Sequence, residues 1–273
     1  MGLEMTKSNR NRRLVAMAAE LMDNPGRVYS LGWFCDRFGI AKSTASEDLT
    51  FVNEVVQEDV GGSIITIPGA SGGIFYRPGP SKGEGFDVLG QVAAELKSPQ
   101  RRLPGGFLFY SDLLFNPAIT ARLGRIFAGI YGSSSPNQVL TLETKGIPLA
   151  LFTAYYLNCP LLIARRSNKI SEGPSVSTNY LTGSGKRIET MFLPKRSLPR
   201  GSQVLIIDDF MKAGGSARGL EQLAIEFDSE VAGIGVLIST AEPQQKLVES
   251  YTALLRMGPE DYQIKVAWEE NLS

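Results

Sequence analysis

Residues 204–217, Val-Leu-Ile-Ile-Asp-Asp-Phe-Met-Lys-Ala-Gly-Gly-Ser-Ala, restrict the fold more than any other stretch of the chain. Four apolar β-formers come first, then two carboxylates, a small-residue loop and the start of an amphipathic run. The apolar segment is short and unbroken, as expected of a strand buried on both faces. Ser216 is placed to cap a helix whose apolar stripe is Leu220, Leu223, Ala224 and Phe227. Gly214 and Gly215 let the backbone approach a ligand and turn its N–H groups toward an anion. The helix N-terminus adds partial positive charge there. Ligands of open α/β sheets sit beyond the carboxyl ends of strands, where Asp208 and Asp209 would lie. Two acids beside an anion cradle are compatible if they accept hydrogen bonds from sugar hydroxyls, or hold Mg2+, while the loop takes a phosphate. An ordinary strand–turn–helix with a polar edge is the competing reading.

The stretch resembles the phosphoribosyl pyrophosphate (PRPP) signature of type I phosphoribosyltransferases. A second strand–loop–helix junction carries Thr144-Lys145-Gly146, whose lysine, glycine and backbone amides suit a pyrophosphate. The run Glu143-Thr144-Lys145-Gly146-Ile147-Pro148 resembles the pyrophosphate loop of adenine and xanthine phosphoribosyltransferases. Taken alone, it reads equally as a surface loop.

The 273 residues allow one large or two ordinary domains, and 43% hydrophobic with 21% charged residues describes a soluble globular chain. No apolar run is long enough to span a bilayer, and the basic start lacks a signal-type apolar core. A cytoplasmic location without membrane contact is therefore expected. Cys35 and Cys159 read as buried free thiols with no metal-site spacing. The absence of histidine excludes Ser-His-Asp and Cys-His catalysis and disfavours zinc. Net charge is zero, so any case for nucleic acid rests on where charges sit.

Residues 1–78 read as a module of their own. Arg10, Arg12 and Arg13 form a basic lead-in to a helix over 11–22. Helices over 31–38 and 42–57 flank a turn at Gly39, where a helix-turn-helix needs a positive φ. The second begins with Lys42, Ser43, Thr44 and Ser46, groups suited to a major groove or to phosphates. Strands over 63–67 and 74–77 surround the loop Pro68-Gly69-Ala70-Ser71-Gly72-Gly73, the geometry of a wing whose Ser71 could meet DNA. The arrangement resembles a winged-helix DNA-binding domain. A small helical protein-interaction module competes, because Glu47 and Asp48 lie on the recognition helix.

A Pro/Gly linker follows, and residues 79–273 form the second predicted domain. Helices over 86–96, 117–131 and 147–157 alternate with strands over 107–110, 138–142, 160–164, 204–208 and 231–239. That order predicts an α/β fold with a mostly parallel sheet covered by helices. Residues 165–200 break the alternation with an antiparallel pair carrying eight Lys/Arg against two Glu. That arm is either a solvated hairpin or a cationic rim for a polyphosphate or DNA. Arg165 stands directly after a strand, where it could reach an effector.

A winged helix followed by a PRPP-binding domain resembles the PurR family, the purine operon regulators of Gram-positive bacteria. The carriers are Lys42-Ser43-Thr44-Ala45-Ser46-Glu47-Asp48-Leu49, Pro68-Gly69-Ala70-Ser71-Gly72-Gly73, Leu103-Pro104-Gly105-Gly106, Thr144-Lys145-Gly146-Ile147-Pro148 and residues 204–216. The resemblance implies a homodimeric transcription factor on double-stranded operator DNA of purine genes, with PRPP or a competing purine nucleotide as effector. It places the effector on Asp208, Asp209, Phe210, Met211, Lys212, Ala213, Gly214, Gly215, Ser216 and Ala217, on Thr144, Lys145 and Gly146, and against Phe107. It implies no catalytic residue and no resident cofactor; Mg2+ would arrive with PRPP, Asp208 and Asp209 touching it indirectly. Active relatives usually have Ala/Ser-Thr where this chain has Lys212-Ala213, and no carboxylate base or purine pocket is evident. The alternative is an active purine phosphoribosyltransferase fused to a DNA-binding or protein-interaction module.

Overall fold

The computed structural model describes residues 10–69, 72–81, 83–105, 107–168, 170–182, 187–258 and 263–268. Ser71, Lys169 and Lys186 lie outside them.

The first module comprises α1 (Arg10–Asp23), α2 (Leu31–Phe38), α3 (Lys42–Val55) and the antiparallel hairpin β1 (Ser63–Ile67) with β2 (Gly73–Arg77). Its turn is set by Gly39, which ends α2 in the left-handed region at φ 64° and donates its N–H to the Cys35 carbonyl. Ser30 caps α2 through the Trp33 N–H. Tyr29 bridges to Ile74, so the chain entering α2 adds a short third strand beside the hairpin. Met17, Leu21, Phe34, Phe38, Ala45, Leu49 and Val52 close one core among the helices.

The second module runs α4 (Glu84–Leu96), β3 (Arg102–Leu103), β4 (Phe107–Leu108), α5 (Ser111–Leu114), α6 (Pro117–Tyr131), β5 (Gln138–Leu142), α7 (Ile147–Leu157), β6 (Leu161–Ala164), β7 (Ser175–Leu181), β8 (Ile188–Pro194), β9 (Gln203–Met211), α8 (Gly215–Glu226), β10 (Glu230–Thr240), β11 (Thr252–Met257) and β12 (Ile264–Val266). Six strands form one sheet in the order β12-β11-β10-β9-β5-β6. All neighbours are parallel except β12 on β11. Alternate side chains of β9 serve opposite faces. Leu205 and Ile207 pack with α4, α6 and α7, and Val204 and Ile206 pack with α8 and the β7–β8 arm.

Three expectations change. The strand over 107–110 is a two-residue piece paired with β3 outside the main sheet. β9 extends three residues beyond Asp208. Helix α8 begins at Gly215 behind Gly214, whose φ of 86° serves as the N-cap without a side-chain hydrogen bond, so Ser216 lies inside the first turn. Both cysteines are free thiols and half-buried. No described helix is long and apolar enough to cross a membrane.

The modules touch through α6. Arg125 donates to the Val60 carbonyl at 3.3 Å and pairs with Glu84, which Arg122 also meets at 3.4 Å.

Candidate functional site

β5 and β9 are adjacent parallel strands whose following helices leave to opposite faces of the sheet. Such a reversal opens a crevice at the carboxyl edge. Here it brings together Thr144-Lys145-Gly146 and the loop after Asp208-Asp209. The resulting cleft has a volume of about 790 Å3. Lys145, Asp208 and residues 210–217 line it, with Phe107, Tyr110, Arg166, Arg187 and Thr240. Helix α8 points its uncapped N-terminus there, leaving the amides of its first turn for an anion.

Gly146 is required by close approach. A Cβ at this position would lie 2.7 Å from Thr141 Oγ1 and 3.2 Å from Asp208 Oδ1. Gly146→Ala is therefore expected to displace Asp208 or Thr141 and to destabilise the fold by about 1–3 kcal/mol, as read by thermal unfolding. Unchanged stability would show that the loop has room to spare.

Asp208 is buried, and Asp209 lies beside it. Burial first, then the negative charge of Asp209, raises the Asp208 carboxyl well above its ordinary pKa. Asp208 Oδ1 accepts the Asp209 N–H at 2.9 Å. Asp209 Oδ2 accepts the Tyr110 hydroxyl at 2.5 Å. Burial and Asp209 push the Tyr110 phenol upward, so it stays a donor. Lys145 Nζ sits 4.6 Å from the Tyr110 ring centroid, and Phe210 stacks on the same ring at 6.4 Å. Tyr110 thus joins the two loops that border the cleft. Sequence reasoning missed it because its partner is 99 positions away and nothing local marks it.

The remaining expected effector residues sit as follows. Thr144 is exposed at the loop tip, and Gly146 is buried beneath the cleft, outside its lining. Arg165 pairs with Glu143 at 3.7 Å and Glu172 at 3.1 Å, and its neighbour Arg166 is the residue on the cleft wall. Glu143 holds this corner, accepting the Arg166 N–H at 2.7 Å. Among the described residues no group of three or more His, Cys, Asp or Glu could hold a metal ion.

On the winged helix, Lys42, Ser43 and Ser46 are exposed and Thr44 is half-buried. Lys42 and Ser46 line a groove of about 540 Å3 between α3 and the hairpin, with Thr50, Thr66 and Gly69. The basic lead-in divides. Arg12 is exposed, whereas Arg13 and Arg10 bind Asp48 at 2.6 and 3.1 Å. Burial alone would raise the Asp48 carboxyl, but the two guanidinium groups hold it below the usual range. Asp48 therefore ties α3 to α1, and its charge is neutralised within the module.

Fold and site define a class: a winged helix joined to a phosphoribosyltransferase-type α/β domain with an anion-facing cleft at its switch point. The family described as "Bacterial purine repressor, N-terminal" matches residues 9–78, and "Phosphoribosyl transferase domain" matches residues 110–263. The chain is 42% identical to the purine biosynthesis transcriptional repressor PurR of Bacillus subtilis, over 92% of this chain and 88% of that protein. It is 36% identical to the purine biosynthesis transcriptional activator PurR of Lactococcus lactis, over 91% of this chain and 92% of the relative. The fold matches a crystal structure of adenine phosphoribosyltransferase from Rhodothermus marinus with TM-score 0.52 and 20% identity, covering 62% of this chain and 99% of that one. The chain belongs to the PurR family of purine biosynthesis transcriptional regulators.

Proposed function

We propose that the winged helix binds operator DNA of purine biosynthesis genes, and that PRPP, or a competing purine nucleotide, in the cleft sets that affinity. One observation carries the effector half of this reading. The switch-point cleft joins a helix N-terminus without a side-chain cap to an acid pair, Asp208 buried in its lining and Asp209 half-buried beside it, and is flanked by Lys145 and Arg166. The amides and cations suit phosphates, and the acids suit the hydroxyls of the same sugar. Each acid already has one carboxylate oxygen in a hydrogen bond, which fits contact with ligand-borne Mg2+ through water better than a resident metal.

The chain acts as a dimer in the cytoplasm, like transcription factors that read paired sites. Arg12, Lys42, Ser43, Thr44, Ser46 and Ser71 meet DNA, while Arg10 and Arg13 support the reading helix. The cleft binds without turnover: Lys212-Ala213 replaces the hydroxyl-bearing pair usual in active relatives. Pyrophosphate release from PRPP with adenine, guanine, xanthine or hypoxanthine would contradict that part. The relatives are named both repressor and activator. The direction of regulation thus follows operator position rather than this fold.

A mobility-shift assay on upstream regions of purine genes, titrated with PRPP and guanine nucleotides, tests the whole reading. A specific complex whose affinity changes with PRPP is expected. Complexes indifferent to sequence would contradict the DNA half. Lys42→Ala is expected to weaken binding about tenfold and to lower the salt slope by about one counterion, as for one lost phosphate contact.

A further inference from the structure

The phosphate loop is held from behind by a residue outside the cleft. Lys246, in the segment between β10 and β11, donates its ammonium to the Lys212 carbonyl at 2.5 Å, the Thr240 carbonyl at 2.7 Å and the Thr240 hydroxyl at 3.3 Å. These three acceptors match the three donors of an ammonium group. The adjacent Leu247 N–H donates to the Ala213 carbonyl at 2.9 Å. The next carbonyl, of Gly214, is taken within α8 by the Arg218 N–H at 2.9 Å.

In a trans peptide the C=O and the following N–H point in opposite directions. Drawing the Lys212 carbonyl back toward Lys246 therefore turns the Ala213 N–H the other way. Drawing the Ala213 carbonyl toward Leu247 does the same for the Gly214 N–H. Residues 212–217 line the cleft, and Lys246 and Leu247 lie behind them. A Cβ on Gly214 would stand 3.4 Å from the Leu247 nitrogen and 3.7 Å from the Lys246 Cβ, which places the buttress directly against the bend.

We infer that Lys246 is a positioning residue for the anion site, fixing the peptide orientations of the phosphate loop so that successive amides face a bound diphosphate. The loop lacks the side-chain hydroxyl that active relatives carry beside this bend, and Lys246 supplies its order from outside. The inference rests on the effector reading above.

The test is calorimetric titration of the full chain with PRPP and, separately, with inorganic pyrophosphate, comparing wild type, Lys246→Met and Lys246→Arg. Lys246→Met is expected to weaken both ligands about tenfold, since loss of preorganisation is charged against binding. Lys246→Arg, which keeps charged donors, is expected to recover most of the loss. Operator affinity without ligand should be equal in all three, which a general folding defect would not allow. Amide exchange at Ala213 and Gly214, faster in Lys246→Met than in wild type or Lys246→Arg, reports the loop directly even where Lys246→Met is poorly stable. Wild-type affinity in a folded Lys246→Met, or unchanged exchange at those amides, would overturn the inference. A wild type that binds neither ligand would instead overturn the effector reading, and this inference with it.

Discussion

Asp208→Asn is expected to weaken PRPP binding at least about tenfold while making the ligand-free protein more stable at neutral pH. The binding loss follows from removing a carboxyl at the centre of the cleft. The stability gain follows from burial. Burial and the neighbouring Asp209 raise the folded-state pKa of Asp208, so the folded protein disfavours its ionised form. In the unfolded chain it ionises near the ordinary value of about 3.9. The protonated carboxyl is thus most compatible with the fold below that value, and this advantage is lost as pH rises toward the raised folded pKa. Asparagine is neutral throughout. Its gain, on the order of 1 kcal/mol, should be largest near neutrality and vanish as pH falls to about 4. Thermal unfolding of both proteins across that range reads the difference. A variant less stable than wild type at neutral pH would show that Asp208 does structural service in its charged form.

Asp48→Ala is expected to cost the winged helix about 3–5 kcal/mol, because it removes one partner of a buried ion pair. Arg13 is 10% exposed at the side chain, whereas Arg10 is 59% exposed and adds little by itself. Operator binding should fail with folding of the module, while PRPP binding persists in the other domain. Trp33 lies on α2 against this core, so its fluorescence follows the loss in denaturant. Asp48 has a lowered folded-state pKa, so its contribution is present above the ordinary carboxylate range and is lost as pH falls through the folded value. Pairing with Arg13→Met in a double-mutant cycle isolates the ion pair. A small, additive effect would mean the contact is incidental.

Much of this architecture is legible in one dimension because its signals are local. The run Val204-Leu205-Ile206-Ile207 is apolar throughout since both its faces are covered, by α6 and α7 on one side and α8 on the other. Gly39 marks the helix-turn-helix because the bend itself demands a positive φ. What escapes the sequence is tertiary. Arg13 and Asp48 sit on different helices, so nothing in the sequence shows that Arg10 and Arg13 of the basic lead-in also pair with Asp48 inside the module. Tyr110 lines the cleft and Lys246 stands behind its phosphate loop, both from segments with no motif of their own, and each holds a loop distant in sequence. β12 has three residues, too few for periodicity to show, and exists by pairing with β11. Arg165 and Arg166 are equivalent in sequence, and the bridge of Arg165 to Phe192 decides which one turns inward.

If the cleft governs the groove reader, coupling between them must be reciprocal, because linkage holds for binding free energies in both directions. The contact of Arg125 on α6 with the Val60 carbonyl, its guanidinium also held by Glu84 of its own module, gives the two modules a shared surface through which a preference for one arrangement could act. The most direct measurement is therefore PRPP affinity of the full chain with and without saturating operator DNA, set beside operator affinity with and without saturating PRPP. The expected result is the same factor in both, on the order of 5- to 150-fold, and its disappearance in Asp208→Asn. Operator affinity that stays constant while PRPP demonstrably fills the cleft would contradict the central claim.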